Sequence, residues 1–208
     1  MKVDSVTRAA ISFKHVGDKL IVKLDQEYII DQIFMFSIFY KGKPENPEAI
    51  DSPLGFYGSS KNLVIRTESS PYYAHNWWPC KDTPSDKADS ADVRVTVNKQ
   101  FTVASNGKMV NVVKNDDQTV TYHWKIMHPI ATYLLTIAIA DYTVLSDYYV
   151  NSHGDSLELQ YYLFRDRDEK DIIPFEKIKN MIQILEKFYG PYPFYPKFTS
   201  KLTRRNRL

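Results

Sequence analysis

Alternating polar and apolar residues recur along most of the chain, and this pattern predicts β-strands. The clearest case is residues 91–97, where three valines share one face and polar residues occupy the other. Residues 109–114 and 119–126 flank the turn-forming residues 115–117, as the two strands of a hairpin do. Further strands are predicted at residues 19–24, 33–40, 63–67, 101–104, 130–144 and 157–164.

One amphipathic helix is predicted near the C-terminal end of the sequence. From Phe175 to Phe188 the apolar residues recur at the three- and four-residue spacing of a helix. Pro174 suits the first helical turn, and Gly190 suits the end of the helix. A crossover is predicted near residues 147–156. The helix carries an apolar stripe that must be covered, either by the β-rich part or by protein outside this chain.

Composition and charge exclude several classes of protein. The 208 residues include 27 Lys and Arg against 25 Asp and Glu, so the chain lacks the overall positive field of a nucleic-acid binder. No apolar run approaches the ~20 residues of a membrane-spanning helix. Residues 1–4 have no apolar signal-peptide core, so no signal peptide is predicted. The single cysteine, Cys80, excludes an internal disulfide and is expected to be a buried, small apolar residue.

Motifs for metal, nucleophilic and phosphate chemistry are missing from the sequence. A zinc site of the His-Glu-x-x-His type is not present, because none of the five histidines is followed by Glu. His123 and His128 lie five residues apart in a strand-like segment, which places them on opposite faces. The aspartates of residues 82–92 lack the spacing and the central glycine of an EF-hand. The sequence therefore predicts no catalytic residue and no metal ligand.

Aromatic residues are dense at Tyr72, Tyr73, Trp77 and Trp78 and offer a surface for stacking on a sugar or a peptide. In a strand, consecutive tryptophans point to opposite faces, so only one of them serves such a surface. The favoured interpretation places one in the core and the other over a neighbouring loop. The alternative function is a stand-alone β-sandwich module that binds peptides or glycans.

Two stretches of sequence resemble the M1 zinc aminopeptidases. Residues 79–88 are similar to the family's Pro-Cys-x-Asp-x-Pro-x-x-Lys-Ala block, and read Pro79-Cys80-Lys81-Asp82-Thr83-Pro84-Ser85-Asp86-Lys87-Ala88. Residues 186–194 resemble the end of the family's first catalytic-domain helix and the Gly-x-Tyr-Pro-Phe turn after it. The resemblance extends to about residue 198.

The resemblance implies both a fold and a domain organisation. In the M1 family, a saddle-shaped β-sandwich precedes a thermolysin-like zinc domain. The chain is accordingly expected to be mainly β, a saddle-like β-sandwich followed by one strand and one amphipathic helix. Residues 1–147 would form the N-terminal β-sandwich domain, without the family's opening strands. Residues 148–198 would begin the catalytic domain, and residues 199–208 would form a basic tail.

The resemblance also implies a parent function, the removal of N-terminal amino acids from peptides. The family's Gly-x-Met-Glu-Asn-like and His-Glu-x-x-His motifs follow the Tyr-Pro-Phe turn, and this sequence contains neither. The expectation is a truncated fragment that is non-catalytic alone, with zinc bound in the parent family and no cofactor in this chain. Its partners would be a peptide substrate and the missing catalytic domain, and the helix stripe also suits a subunit that pairs with a separate catalytic chain. Family members are often exported, which leaves the compartment open.

The resemblance assigns one site to the β-domain, a Gln or Glu that holds the free amine of the substrate. Counting back from Pro79 places this position near Glu68 or Ser70. Glu68 has the chemistry of an ammonium acceptor. If Ser70 holds the matching position, the anchor is lost, and Glu68 is a surface residue without a role.

Overall fold

The computed structural model describes residues 11–44, 52–59, 62–165 and 172–194. The chain forms two compact units that divide between Asp141 and Tyr142. The strands are β1 (Phe13–Val16), β2 (Lys19–Val22), β3 (Leu54–Tyr57), β4 (Val64–Thr67), β5 (Ala91–Asn98), β6 (Thr102–Ser105), β7 (Lys108–Lys114), β8 (Thr119–Ile126), β9 (Ile137–Ala140), β10 (Tyr142–Val150) and β11 (Ser156–Phe164). The helices are α1 (Ile173–Glu176) and α2 (Ile178–Tyr189).

Antiparallel sheets make up the first unit. A four-stranded sheet has the order β3-β4-β9-β6, a three-stranded sheet has the order β5-β8-β7, and β1 pairs with β2. Burial alternates along all of β5, as the alternating sequence predicts for a strand with one covered face. The buried apolar residues come from both larger sheets and the segments beside them: Ala74, Val103, Val120, Trp124, Ile126, Ala131, Leu135, Ile139 and Ala140. The predicted class, a mainly β fold followed by a helix, is confirmed.

The turn between β6 and β7 depends on a glycine. Gly107 has a φ of +82°, and a Cβ atom there would overlap the carbonyl oxygen of Lys125 on β8. Glycine is the residue that tolerates both conditions, which explains why it occupies this turn. The predicted hairpin of β7 and β8 is also confirmed, with a bulge between Met109 and Asn111.

Residues 33–40 do not form a strand, so that prediction is wrong. The segment is irregular, and several of its apolar side chains are exposed, with Ile33 95% exposed. Phe34 packs against Tyr28 and Phe36, with ring centroids 4.8 Å and 6.0 Å away. A short, continuous apolar run fits several structures, and its backbone here has no ladder partner among the described residues.

The region between β8 and β11 differs from the sequence-based prediction in two places. Residues 130–144 do not form one strand, because the 3₁₀ helix Thr132–Leu134 and the break at Asp141 divide them. The predicted crossover at residues 147–156 is wrong, because β10 and β11 form an antiparallel hairpin. The Asn151 side chain accepts hydrogen bonds from the backbone N–H groups of His153 (2.9 Å) and Asp155 (2.8 Å), which closes the turn.

The helix of the second unit is confirmed. Helix α1 begins with Pro174 in its first turn, and α2 ends at Gly190, which has a φ of +83°. Lys179 donates to Asp147 (2.7 Å), and the Tyr149 hydroxyl donates to Glu186 (2.8 Å), so polar contacts hold α2 to β10. Within the described residues, neither helix combines the length and apolar character needed to cross a membrane.

Candidate functional site

Glu68 and Ser70 lie directly after β4 and point away from the interior of the first unit. Their neighbours Thr67 and Ser69 are 8% and 2% exposed, whereas Glu68 and Ser70 are exposed. Because side chains alternate along extended backbone, two buried neighbours direct the residues between and after them outward. The structure therefore exposes both predicted site residues.

Three hydrogen bonds hold this segment in place, two through side-chain oxygens and one through the backbone. The N–H of Ile137 on β9 donates to Thr67 Oγ1 at 2.9 Å. The indole N–H of Trp77 donates to Ser69 Oγ at 3.0 Å. The N–H of Glu68 donates to the carbonyl oxygen of Pro53 at 3.2 Å, which extends the ladder between β3 and β4. The Glu68 Cα–Cβ bond is thus held in a defined direction by ordered backbone on both sides.

The Glu68 carboxylate has one charged neighbour among the described residues. Arg66, two residues earlier on the same face of β4, places Nη1 3.1 Å from Glu68 Oε2. The Glu68 side chain is 57% exposed, so a ligand can reach the carboxylate. The Arg66 guanidinium carbon lies 5.1 Å from the ring centroid of Tyr57 on β3, within the range of a cation–π contact. A carboxylate held in this way can accept a charge-assisted hydrogen bond from an ammonium group.

Ser70 is exposed and is followed by a cis peptide bond to Pro71. Its hydroxyl is a neutral acceptor and donor, and therefore a weaker partner for an ammonium group than a carboxylate. The amine-binding role stays a prediction for both Glu68 and Ser70.

The aromatic stretch after this segment does not form a strand. The chain makes the 3₁₀ helix Ala74–Asn76, and the expectation that Trp77 and Trp78 occupy opposite faces of a strand is wrong. Their ring centroids lie 6.0 Å apart, and both side chains are half-buried. Tyr72 and Tyr73 are exposed.

The Pro-Cys-x-Asp block is tied to the 3₁₀ helix by a histidine, a pairing that the sequence analysis missed. His75 Nδ1 lies 2.5 Å from Asp82 Oδ2, and the His75 backbone N–H donates to the same oxygen at 3.4 Å. Burial raises the pKa of the Cys80 thiol to about 11, and the negative charge of Asp82 adds to this shift. Burial thus favours the neutral thiol form of Cys80 at neutral pH.

Several of the other candidate residues for metal chemistry are engaged in ion pairs. His123 Nε2 lies 2.5 Å from Asp92 Oδ1, and Lys81 donates to Asp86 at 2.8 Å. The hydrogen bond with His123 lowers the pKa of Asp92, and the positive charges of Lys125 and Arg94 add to this effect. Among the described residues, no group of three His, Cys, Asp or Glu side chains is placed to hold a metal ion. These residues do not fit a zinc ion.

Comparison with known proteins gives the family of the chain. Residues 2–134 match the model of the Peptidase M1 N-terminal domain. The chain belongs to the M1 peptidase family. This match covers β4, Glu68 and Ser70 directly after it, and the Pro-Cys-x-Asp block. It does not favour the stand-alone glycan- or peptide-binding module.

Curated relatives of this M1 chain are much longer than the chain itself. It is 30% identical over 141 residues to a protein of Sulfurisphaera tokodaii named "Probable aminopeptidase 1", which covers 66% of the chain and 16% of that relative. It is 26% identical over 185 residues to a protein of the same name from Saccharolobus solfataricus, covering 86% of the chain and 21% of that relative. The chain thus spans about a fifth or less of these two relatives.

Solved structures of M1 enzymes share the fold. An M1 zinc metallopeptidase from Deinococcus radiodurans superposes with a TM-score of 0.71 at 20% identity, over 88% of this chain and 41% of that one. A mutant of that enzyme bound to a Tyr-Ser-Ala substrate has a TM-score of 0.71 at 21% identity, over 88% of this chain and 42% of that one. At this level of identity the likeness establishes the fold.

Proposed function

We propose that this chain is the substrate-anchoring part of an M1-type aminopeptidase, an enzyme that removes N-terminal amino acids from peptides. In this proposal, residues 1–147 form the N-terminal β-domain, residues 148–198 begin the catalytic domain, and residues 199–208 form a basic tail. The family match over residues 2–134 supports the first assignment. The names of the curated relatives support aminopeptidase activity for the complete enzyme.

The observation that carries the proposal is the Glu68 carboxylate, which is exposed and pointed outward by a fixed backbone. A peptide with a free N-terminus presents an ammonium group, because the α-amine has a pKa of about 8 in model compounds. The carboxylate is a suitable acceptor for that group. A neutral, N-acetylated terminus cannot make the same charge-assisted hydrogen bond. Glu68 would therefore recognise the end of the peptide, with the exposed Ser70 two residues after it.

Hydrolysis is assigned to protein outside this chain. A catalytic zinc site needs three protein ligands, an open position for water, and a base. The sequence contains no His-Glu-x-x-His motif, so we propose that the chain alone neither holds zinc nor cleaves peptides. Its partner would be the rest of an M1 catalytic domain, and the short span of the chain within its relatives supports this. Exposed apolar residues of α2, such as Leu185 and Phe188, also suit further packing.

Ligand titration of the whole chain tests the anchor. The ¹⁵N-labelled chain is titrated with L-leucinamide, and separately with N-acetyl-L-leucinamide, while amide shifts near Glu68 are followed by NMR. We expect only the free amine to cause saturable shifts, with a dissociation constant on the order of 10 mM, because one charge-assisted hydrogen bond contributes about 1.5–3 kcal/mol. Equal shifts with both ligands, or none with either, would contradict the proposal.

Two glutamates allow a matched comparison for this titration. Glu158 on β11 is also exposed and also accepts a hydrogen bond from a side chain two residues away, Gln160 Nε2 at 3.0 Å. Glu68→Gln is expected to abolish the leucinamide response, whereas Glu158→Gln is expected to leave it intact. A larger loss with Ser70→Ala than with Glu68→Gln would move the anchor to Ser70.

Hydrolysis of L-leucine p-nitroanilide, with added zinc, tests the assignment of catalysis to protein outside this chain. We expect no turnover. Turnover that a chelator abolishes, together with one bound zinc per chain, would overturn that assignment and leave the amine anchor standing.

A further inference from the structure

The proposed anchor, Glu68, shares one face of the β3–β4 hairpin with Gly55, Tyr57 and Arg66. Gly55 and Tyr57 lie two residues apart on β3, and Arg66 lies directly across from Gly55 on β4. Glu68 follows two residues after Arg66 on the same side. Period-two alternation explains why these four side-chain positions share a face.

Gly55 makes room for the Tyr57 ring. A Cβ atom at position 55 would overlap the Tyr57 ring and its hydroxyl oxygen, so the ring lies folded back over the glycine. This places the ring opposite Arg66, whose guanidinium carbon is 5.1 Å from the ring centroid. An alanine at position 55 would push the ring out of this place.

The stacked guanidinium reaches the carboxylate. Arg66 Nη1 is 3.1 Å from Glu68 Oε2, and Glu68 Oε1 makes no hydrogen bond within the described ranges. One oxygen is therefore held by the protein, and the other is available to a ligand. The contacts form a chain: Gly55 leaves room for the Tyr57 ring, the ring contacts Arg66, and Arg66 contacts Glu68.

We propose that Tyr57 and Arg66, with the space left by Gly55, are positioning residues that fix the Glu68 carboxylate in the rotamer that accepts the substrate ammonium. The inference rests on the proposed function, since it assigns these residues a role at the same anchor. A free glutamate loses rotamer freedom when it binds a ligand, and a glutamate that is already ordered loses less. Preorganisation of this kind increases affinity without adding a contact to the ligand.

The test must separate position from charge. Removing Arg66 would also remove a positive charge beside the anchor. The loss of that charge would by itself favour the binding of an ammonium group, because like charges repel each other. Tyr57→Leu and Gly55→Ala keep both charges and disturb only the ring. Both variants remove or displace the ring and leave the charges of Arg66 and Glu68 in place, so an effect shared by the two is assigned to the ring, and the pair protects the test against the failure of one to fold.

Two measurements are made on the whole chain. The first is the dissociation constant of L-leucinamide from the NMR titration. The second is the χ1 rotamer distribution of Glu68 without ligand, from three-bond scalar couplings. For both variants we expect about two- to fivefold weaker binding, the size typical of an exposed ion pair, together with rotamer-averaged couplings. Tyr57→Phe keeps the ring and is expected to restore the single rotamer that Tyr57→Leu loses.

The outcomes distinguish this inference from the proposed function. If the wild-type chain does not bind L-leucinamide, the proposed function fails, and averaged couplings in the wild type would overturn the positioning role as well. If the wild type binds but the variants bind equally well, or their couplings do not change, only the positioning role is overturned. Weaker binding and averaged couplings in the same variants support it.

Discussion

Strand β8 and helix α2 both carry apolar residues at the spacing of their own element, but only β8 buries them. Val120, Trp124 and Ile126 on β8 are almost inaccessible, whereas Leu185 and Phe188 on α2 are 55% and 73% exposed. β8 is the central strand of its sheet, and its inner face adds to a core that the four-stranded sheet also supplies. The contacts of α2 to β10 in the second unit include the polar pairs of Lys179 and Glu186. An amphipathic pattern thus specifies which face is to be covered, and the surrounding chain decides whether it is.

The largest difference between β8 and α2 is expected when a large aromatic side chain is truncated in each of them. Trp124→Ala is expected to lower the free energy of unfolding of the first unit by about 3–5 kcal/mol, because it opens a cavity in the core. Phe188→Ala, on the exposed face of α2, is expected to change stability by less than about 0.5 kcal/mol. Urea unfolding followed by NMR signals from each unit would measure both. A loss of several kcal/mol from Phe188→Ala would show that the α2 face is covered in the isolated chain.

A smaller effect is expected at the contact that holds α2 to its hairpin. Tyr149 is a buried residue of β10, and its hydroxyl donates to Glu186 Oε2 at 2.8 Å. Tyr149→Phe keeps the ring and removes the hydrogen bond, so amide exchange in α2 should become about fivefold faster, the equivalent of a typical hydrogen bond. Tyr189→Phe is the matched control, because Tyr189 is 85% exposed at the end of the same helix. Equal exchange rates in the two variants would remove Tyr149 as a tether of α2.

Much of the fold could be predicted from the sequence wherever a local pattern was sufficient. The alternation in β5 and the stop at Gly190 both depend on residues close together in the chain. The prediction failed at residues 33–40, where a strand needs a partner that the sequence pattern does not supply. It failed again at residues 147–156, because a single side chain, Asn151, closes a tight turn that looked like a longer connection.

The position of the candidate site stays a prediction, and the contacts of Glu68 were not visible in the sequence. Counting back from Pro79 leads to Glu68 or Ser70, and both side chains are exposed in the structure. The contact of Arg66 with Tyr57 depends on the register of β3 with β4 and on the missing side chain of Gly55. Register between strands is a tertiary property, so no single stretch of sequence reveals it.

The smallest expected effect is a loss of folding stability at acid pH, and it is expected in both units. The hydrogen bond with His123 lowers the pKa of Asp92 in the first unit, and the hydrogen bond from Lys179 lowers the pKa of Asp147 in the second. A carboxylate whose pKa is lowered by folding stabilises the protein above its unfolded pKa of 3.8. That contribution is lost as the pH falls through the lower, folded value. Both units should therefore lose stability below about pH 4.

Neutral variants separate the two contributions by unit. Asp92→Asn should flatten the acid side of the stability curve for the first unit only, and Asp147→Asn should do so for the second only. Asp89→Asn is the control, since Asp89 is exposed and has no ion pair among the described residues. The free energy of unfolding is measured from about pH 6 to pH 2 for each variant. If Asp92→Asn and Asp89→Asn give parallel curves, the hydrogen bond with His123 adds no stability. If the two curves differ, the difference in the free energy of unfolding should still be small. Asp92 and Asp147 are 35% and 43% exposed, and solvent screens ion pairs at that exposure.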